Sequence, residues 1–324
     1  MGRYIARRLI QMVPLLLAIS ILSFLIMHLA PGDPTSMYLD PTKGVGKNPE
    51  VMQRLRRQLG LDQPVYVQYF KWLANTLRGN WGYSFINKQE VLKNITDRFP
   101  NTLLLGGVSM ALALVVSIPI GVLSAFKQYS AFDYVVTTMA FFGVSVPSFW
   151  FALVLMQVFA NQLGWFPAVG MHSVREQLYG WDAIRDVIRH LVLPAVVLAM
   201  PSMASWTRYM RSSLLEVIGE EYVRTARAKG LRERTVVLRH VLKNALIPLI
   251  TLLGLSLPVV VGGAFIIETV FGWPGMGRLG INAIMARDYP LIMGVTMMSS
   301  VLVISGNLLA DTAYAWVDPR IRYQ

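Results

Sequence analysis

The sequence predicts an all-α integral membrane protein with six transmembrane helices, on three observations. Mean hydropathy over the 324 residues is +0.48. Only 15% of residues are charged, where soluble domains average about 25%. The apolar residues are also gathered into six runs, each near the roughly 20 residues that a bilayer's hydrocarbon core requires.

The first run, Leu9–Leu29, follows Arg3, Arg7 and Arg8. It exceeds the roughly 7–15 residues of a signal-peptide core, and Met27, three before Ala30, is a poor cleavage context. A retained first helix is expected, so residues 1–30 form an N-terminal cytoplasmic tip and helix one. Residues 31–101 form an extracytoplasmic insertion, in which Val51, Leu55 and Leu59, then Tyr66, Tyr69, Phe70 and Leu73, recur at helical spacing. Short amphipathic helices are expected there, capping the protein's own membrane domain or docking a soluble partner.

Residues 102–317 form the core. Its five further spans are Thr102–Phe126, Tyr134–Ala160, His190–Met210, Asn244–Ile267 and Pro290–Trp316. Pro119, Pro147, Pro194, Pro201 and Pro258 fall inside them; membrane helices tolerate such breaks where neighbours satisfy the freed backbone groups. The loop 211–243 holds Arg211, Arg224, Arg227, Lys229, Arg232, Arg234, Arg239 and Lys243. Cations concentrate in short cytoplasmic loops, so this loop, both termini and the tail 318–324 are expected inside.

Composition and motif failures exclude several function classes. The net charge of +12 lies between apolar runs, which suits anionic membrane lipid and not nucleic acid. There is no cysteine, so no disulfide, thiolate nucleophile or cysteine metal site is expected. "PTKGVGKNP" lacks the phosphate-loop residues, having Pro41 and Asn48 at the decisive positions. "GMGRLG" spaces Gly275, Gly277 and Gly280 as a dinucleotide site does, but follows a membrane helix instead of a strand. His28, His172, His190 and His240 are scattered, without metal-ligand spacing. Catalytic, cofactor and metal sites on this chain are therefore expected to be none. An ion-coupled secondary carrier would need an ionisable group at membrane depth, yet Glu268, Asp311 and Arg208 read as interfacial. Any energy for uphill movement must then come from another subunit.

The polar stretch "EEYVRTARAKGL", Glu220–Leu231, stands out against this background. On a wheel of about 100° per residue, Tyr222, Val223, Ala226 and Gly230 form one smooth arc, flanked by Arg227 and Lys229. Glu220 and Glu221 open the helix, Arg224, Thr225 and Ala228 point away, and Gly230 is the natural stop. Small residues at the centre favour a protein groove over lipid headgroups, which would require bulky apolar anchors. The arc is expected to dock into a partner.

"EYVRTARAKGL", with "NALIPLI" (Asn244–Ile250) downstream, resembles the EAA loop of binding-protein-dependent ABC importer permeases. "APGDP" (Ala30–Pro34), "GLDQPVYVQY" (Gly60–Tyr69), "MRSSLLEV" (Met210–Val217), "ETVFGWPGMGR" (Glu268–Arg278), "RDYP" (Arg287–Pro290) and "DPRIRY" (Asp318–Tyr323) resemble the dipeptide/oligopeptide branch. The resemblance implies a type I ABC importer permease in a prokaryotic inner membrane. Its implied partners are a second homologous permease, two cytoplasmic ATPases that hold ATP and Mg, and an extracytoplasmic solute-binding protein. Glu221, Ala226, Ala228 and Gly230 would belong to the helix that couples to an ATPase. Arg227 separates two alanines that are adjacent in the family's consensus. Nickel and glutathione importers share the branch signatures. Spans three to five are expected to line the route, with Pro147, Pro201 and Pro258 allowing bends and Ser202, Met203, Ser205, Gly254 and Gly262 forming smooth walls.

Overall fold

The computed structural model describes residues 2–29, 53, 62–173, 178–262 and 264–317. Among them no strand occurs; Tyr83 and Glu90 form an isolated bridge. Helices α1 (Gly2–Leu29), α2 (Val65–Leu77) and α3 (Val91–Phe126) come first. Then follow α4 (Ala131–Ser145), α5 (Ser148–Leu155, continued by a π-helical turn at Met156–Gln162), α6 (Trp181–Ile218) and α7 (Glu221–Ala228). A second π-helical stretch, Val236–Leu242, leads into α8 (Ile247–Gly262). The chain ends with α9 (Phe265–Val270), α10 (Met276–Met285) and α11 (Tyr289–Val317). Five stretches are long and apolar enough to cross a membrane, or six if α4 and α5 make one broken span.

Several sequence expectations change here. The third span is not one rod: α4 and α5 meet at 107°. Val146, before Pro147, is extended at φ −77°, ψ 128°, because the proline ring excludes its predecessor from the helical region. The fourth span does the opposite. Its helix runs through both Pro194 and Pro201 for 38 residues, roughly 57 Å at 1.5 Å per residue. A proline removes one intrahelical bond but its φ already suits the helix, and buried contacts of Leu193, Ala195, Val197 and Ala199 hold the rod together. The fifth span stops at Gly262, so Glu268 lies in the separate helix α9. The expected helix around Val51–Leu59 lies outside the described residues, as does the tail; Tyr66, Tyr69, Phe70 and Leu73 do lie on a helix, α2.

The core is divided along the bundle. At one end, Met210 and Leu214 of α6 cluster with Val223, Ala226, Val236, Val241, Ala245 and Leu249. At the other, Val91 and Ile95 of α3 cluster with Met276, Ala283, Leu291 and Val295. Between α3 and α6 the approach is close: a Cβ on Gly121 would stand 2.7 Å from Met210 Cβ and 2.9 Å from Thr207 O. Helix α1 packs beside α2, where the Ser20 and Tyr69 hydroxyls are 2.8 Å apart. It leaves Ile10, Leu22 and Leu29 exposed, as a lipid-facing helix does.

Candidate functional site

Helix α7 projects at the end of the bundle that carries the 127–130 turn. Glu220, extended at φ −69°, ψ 144°, precedes it, and Gly230 at φ +75° closes it. Gly230 N donates to Arg227 O (2.9 Å) and Leu231 N to Ala226 O (3.4 Å), the paired bonds of a helix stop that needs a left-handed residue. Asn244, which opens "NALIPLI", donates its amide to the Tyr222 hydroxyl at 3.1 Å. The two motif segments thus meet in space.

Half of the smooth arc, Val223 and Ala226, does not face outward. Val223 and Ala226 are buried, packed with Met210, Leu214, Val236 and Val241. Their spacing of three places both apolar side chains on one helix face, and that face seals α7 onto its own chain. Tyr222 and Gly230 from the same arc are exposed. The rest of the exposed surface is mostly polar: Glu221, Arg224, Thr225, Arg227 and Lys229, with Ala228 among them. Arg224 pairs with Glu221 at 2.8 Å, and Arg227 reaches Glu233 at 2.7 Å. That hydrogen bond raises the Arg227 guanidinium further above its ordinary pKa.

Sequence reasoning missed the device that holds this end together. Asp133, near the start of α4, accepts from Arg211 Nε at 2.6 Å and Nη2 at 2.7 Å. Ser124 Oγ at 2.5 Å and Tyr129 N at 2.9 Å donate to the same carboxylate. One buried carboxylate therefore ties the end of α3, the turn, the start of α4 and α6 together, ten residues before α7. The acid and the arginine are visible in the sequence, but they stand 78 positions apart, and nothing local pairs them.

The opposite end holds a second knot. Glu268 is wholly buried at this end, held by packing and hydrogen bonds. It accepts from Thr102 Oγ1 at 2.9 Å and from Arg278 N at 3.0 Å, near the start of α10, where helix geometry favours a carboxylate. Thr102 Oγ1 in turn accepts from Met276 N at 2.8 Å. Trp273 Nε1 donates to Asn101 O, and Asn101 Nδ2 donates to Pro274 O, each at 2.9 Å. The spaced glycines of "GMGRLG" have their reason here. A Cβ on Gly275 would fall inside the Glu268 carboxylate, and one on Gly277 would stand 2.7 Å from Phe265 Cα. Beside this knot, Ser84 Oγ and Phe85 N donate to Asp288 at the start of α11, fastening the 82–90 segment.

The expected route residues separate. Pro201 is exposed and Ser202 and Ser205 are half-buried on a shared face of α6. Met203 turns instead to the core cluster. Gly254 is a packing position, since its Cβ would meet Ala310 Cβ of α11 at 3.3 Å; a small residue there lets two helices of this chain approach. Pro147 is exposed at the joint of α4 and α5. Pro258 and Gly262 lie in α8, their surroundings outside the described residues.

Residues 117–323 match the family described as binding-protein-dependent transport system inner membrane component, and residues 1–106 match its N-terminal companion. The chain belongs to this family. This transport component is similar along its whole length to the oligopeptide transport system permease protein AppB of Bacillus subtilis (strain 168), at 47% identity over 324 residues and 100% of both chains. A putative peptide permease protein of Brucella suis biovar 1 (strain 1330) is 45% identical, with 99% of each chain covered. The glutathione transport system permease protein GsiC of Salmonella choleraesuis (strain SC-B67) is 38% identical, with 100% of both covered. Among solved structures, an inward-facing form of the MetNI methionine ABC transporter shares the fold, with a TM-score of 0.51 at 19% identity over 70% of this chain and 97% of that one. The family and the run of apolar helices make the transport component a multi-pass inner-membrane protein.

Proposed function

We propose that this permease is one of two homologous membrane subunits of an ATP-driven importer of di- and oligopeptides. The observation that carries the reading is its similarity along the full chain to an oligopeptide transport permease, at 47% identity. Two separate cytoplasmic ATPases hold ATP and Mg and do the hydrolysis. An extracytoplasmic solute-binding protein delivers the peptide, and this chain carries no catalytic, cofactor or metal site. Both termini and α7 lie on the cytoplasmic side, where the cation-rich 211–243 loop is expected. Glutathione, itself a tripeptide, is a narrower substrate of the same chemistry, favoured by the similarity to GsiC.

The coupling helix acts through its exposed polar face. Glu221, Arg224, Thr225 and Ala228 enter the ATPase groove, while Val223 and Ala226 fasten the helix to α6 and to the 236–242 stretch that leads into α8, so a push on α7 is delivered to the bundle. The test is the co-expressed complex, with its binding protein, in proteoliposomes. ATP-dependent accumulation of a labelled oligopeptide supports the reading, and its absence in an assembled, ATP-hydrolysing complex opposes it. Ala228→Trp is a better probe of docking than Gly230→Trp, since position 228 is helical and exposed, whereas a side chain at φ +75° is strained before any partner arrives. Ala228→Trp is expected to separate ATP hydrolysis from uptake without loss of folded permease; coupled uptake at the wild-type ratio would place docking elsewhere.

A further inference from the structure

Arg208, in the C-terminal half of α6, has no ion-pair partner among the described residues. It lies on the face that carries Pro201, Ser202, Ser205 and Ser212, at helical spacings of three and four. Arg211, one turn on, is consumed by Asp133. Arg208 has no such partner: its Nε is buried without a hydrogen bond, and no carboxylate pairs with it among the described residues. Its guanidinium instead stands 5.2 Å from the ring centre of Phe141.

The direction it takes is informative. A membrane arginine near a helix end ordinarily extends to the nearer interface. Phe141 lies eight residues beyond Asp133 on α4, about 12 Å further from the 127–130 turn at 1.5 Å per residue. The Arg208 guanidinium is therefore held beside Phe141, inward of that turn. Side chains on a helix lean towards its N-terminus, and here that lean carries the charge deeper. A charge held at membrane depth costs at least about 2.5–3.5 kcal/mol, so it marks a route or a site. The half-buried Ser202 and Ser205 hydroxyls make this face more polar than a lipid-facing one. The Phe141 ring supplies part of the lost solvation as a cation–π contact and leaves the guanidinium's hydrogen-bond donors for a ligand. Planar guanidinium donors match a carboxylate.

We infer that Arg208 is an oxyanion-binding station on the translocation path, taking the C-terminal carboxylate of the passing peptide, with the Ser205 and Ser202 hydroxyls next along the same face. This rests on the peptide-importer reading. The site adds a preference for free-acid peptides on top of whatever the binding protein selects.

The test compares uptake of an apolar tripeptide and of its C-terminal amide by the complete complex with its binding protein in proteoliposomes. Each variant is expressed as a ratio to wild type for the same peptide, so the binding protein's own preference cancels. Arg208→Gln is expected to lower free-acid uptake about tenfold relative to the amide, and Arg208→Lys to restore most of it. An equal fall for both peptides would overturn the assignment and make Arg208 a structural or lipid-phosphate contact. No change for either would also overturn it. Wild type moving neither peptide would instead sink the peptide-importer reading itself, and this station with it. Phe141→Leu keeps the charge, and is expected to change free-acid and amide uptake by different factors; equal factors count against the site.

Discussion

Removing Asp133 tests the reasoning about the α3–α4–α6 junction. Its carboxylate accepts four hydrogen bonds, two from Arg211 and one each from Ser124 and Tyr129. Its side chain is 4% exposed, whereas that of Arg211 is 23% exposed. Breaking a buried ion pair by deleting one member costs about 3–5 kcal/mol. Because Arg211 keeps part of its hydration, the lower end applies, about 3 kcal/mol for Asp133→Ala. At an unfolding entropy of about 2.1 cal/mol/K per residue, a chain of 324 residues shifts by roughly 1.5 °C per kcal/mol, so the purified permease should melt about 4–5 °C lower. Arg211→Ala should do similar damage, since it strands the carboxylate. The double variant should lose much less than the sum, with a coupling of about 2 kcal/mol. Intrinsic tryptophan fluorescence during thermal unfolding in detergent reads all four proteins. Additive losses, within about 0.5 kcal/mol, would refute the pair as the element that fastens α6 to the α3–α4 hairpin. In the assembled complex, Asp133→Ala is further expected to lower uptake per ATP hydrolysed, because α6 leads directly into α7.

Two further outcomes follow from the knot at the other end. Gly277→Val places side-chain atoms against the Phe265 backbone, with Cβ 2.7 Å from its Cα; overpacking of this kind costs about 1–3 kcal/mol, readable as a lower melting temperature. Thr102→Val strips the acceptor from Met276 N and the donor from Glu268, both buried. It should cost about 1–3 kcal/mol while Thr102→Ser stays near wild type; equal melting of the two variants would remove Thr102 from the network.

The chain's composition and periodicity determined the class of protein: helices, membrane spans and the polar helix that interrupts them. These depend on apolar run length, proline, glycine and charge, all local properties that a bilayer reads one segment at a time. Its motif residues also determined the family. What the sequence left open was direction and pairing. The stretch at 221–230 was legible as a helix ending on Gly230, but not which way it faced. That depended on Val236 and Val241, beyond the helix, offering Val223 and Ala226 an apolar seat. Pro147 and Pro201 look alike in sequence, yet one breaks a span and the other rides inside a 38-residue rod; the packing around each decided. Asp133 found Arg211, and Glu268 found Thr102, across 78 and 166 positions. Such buried polar partners follow from how helices pack in space, since a buried charge or hydroxyl needs whichever donor the neighbouring helix brings to it. Tertiary structure alone could make those matches, and among the described residues it left Arg208 without one.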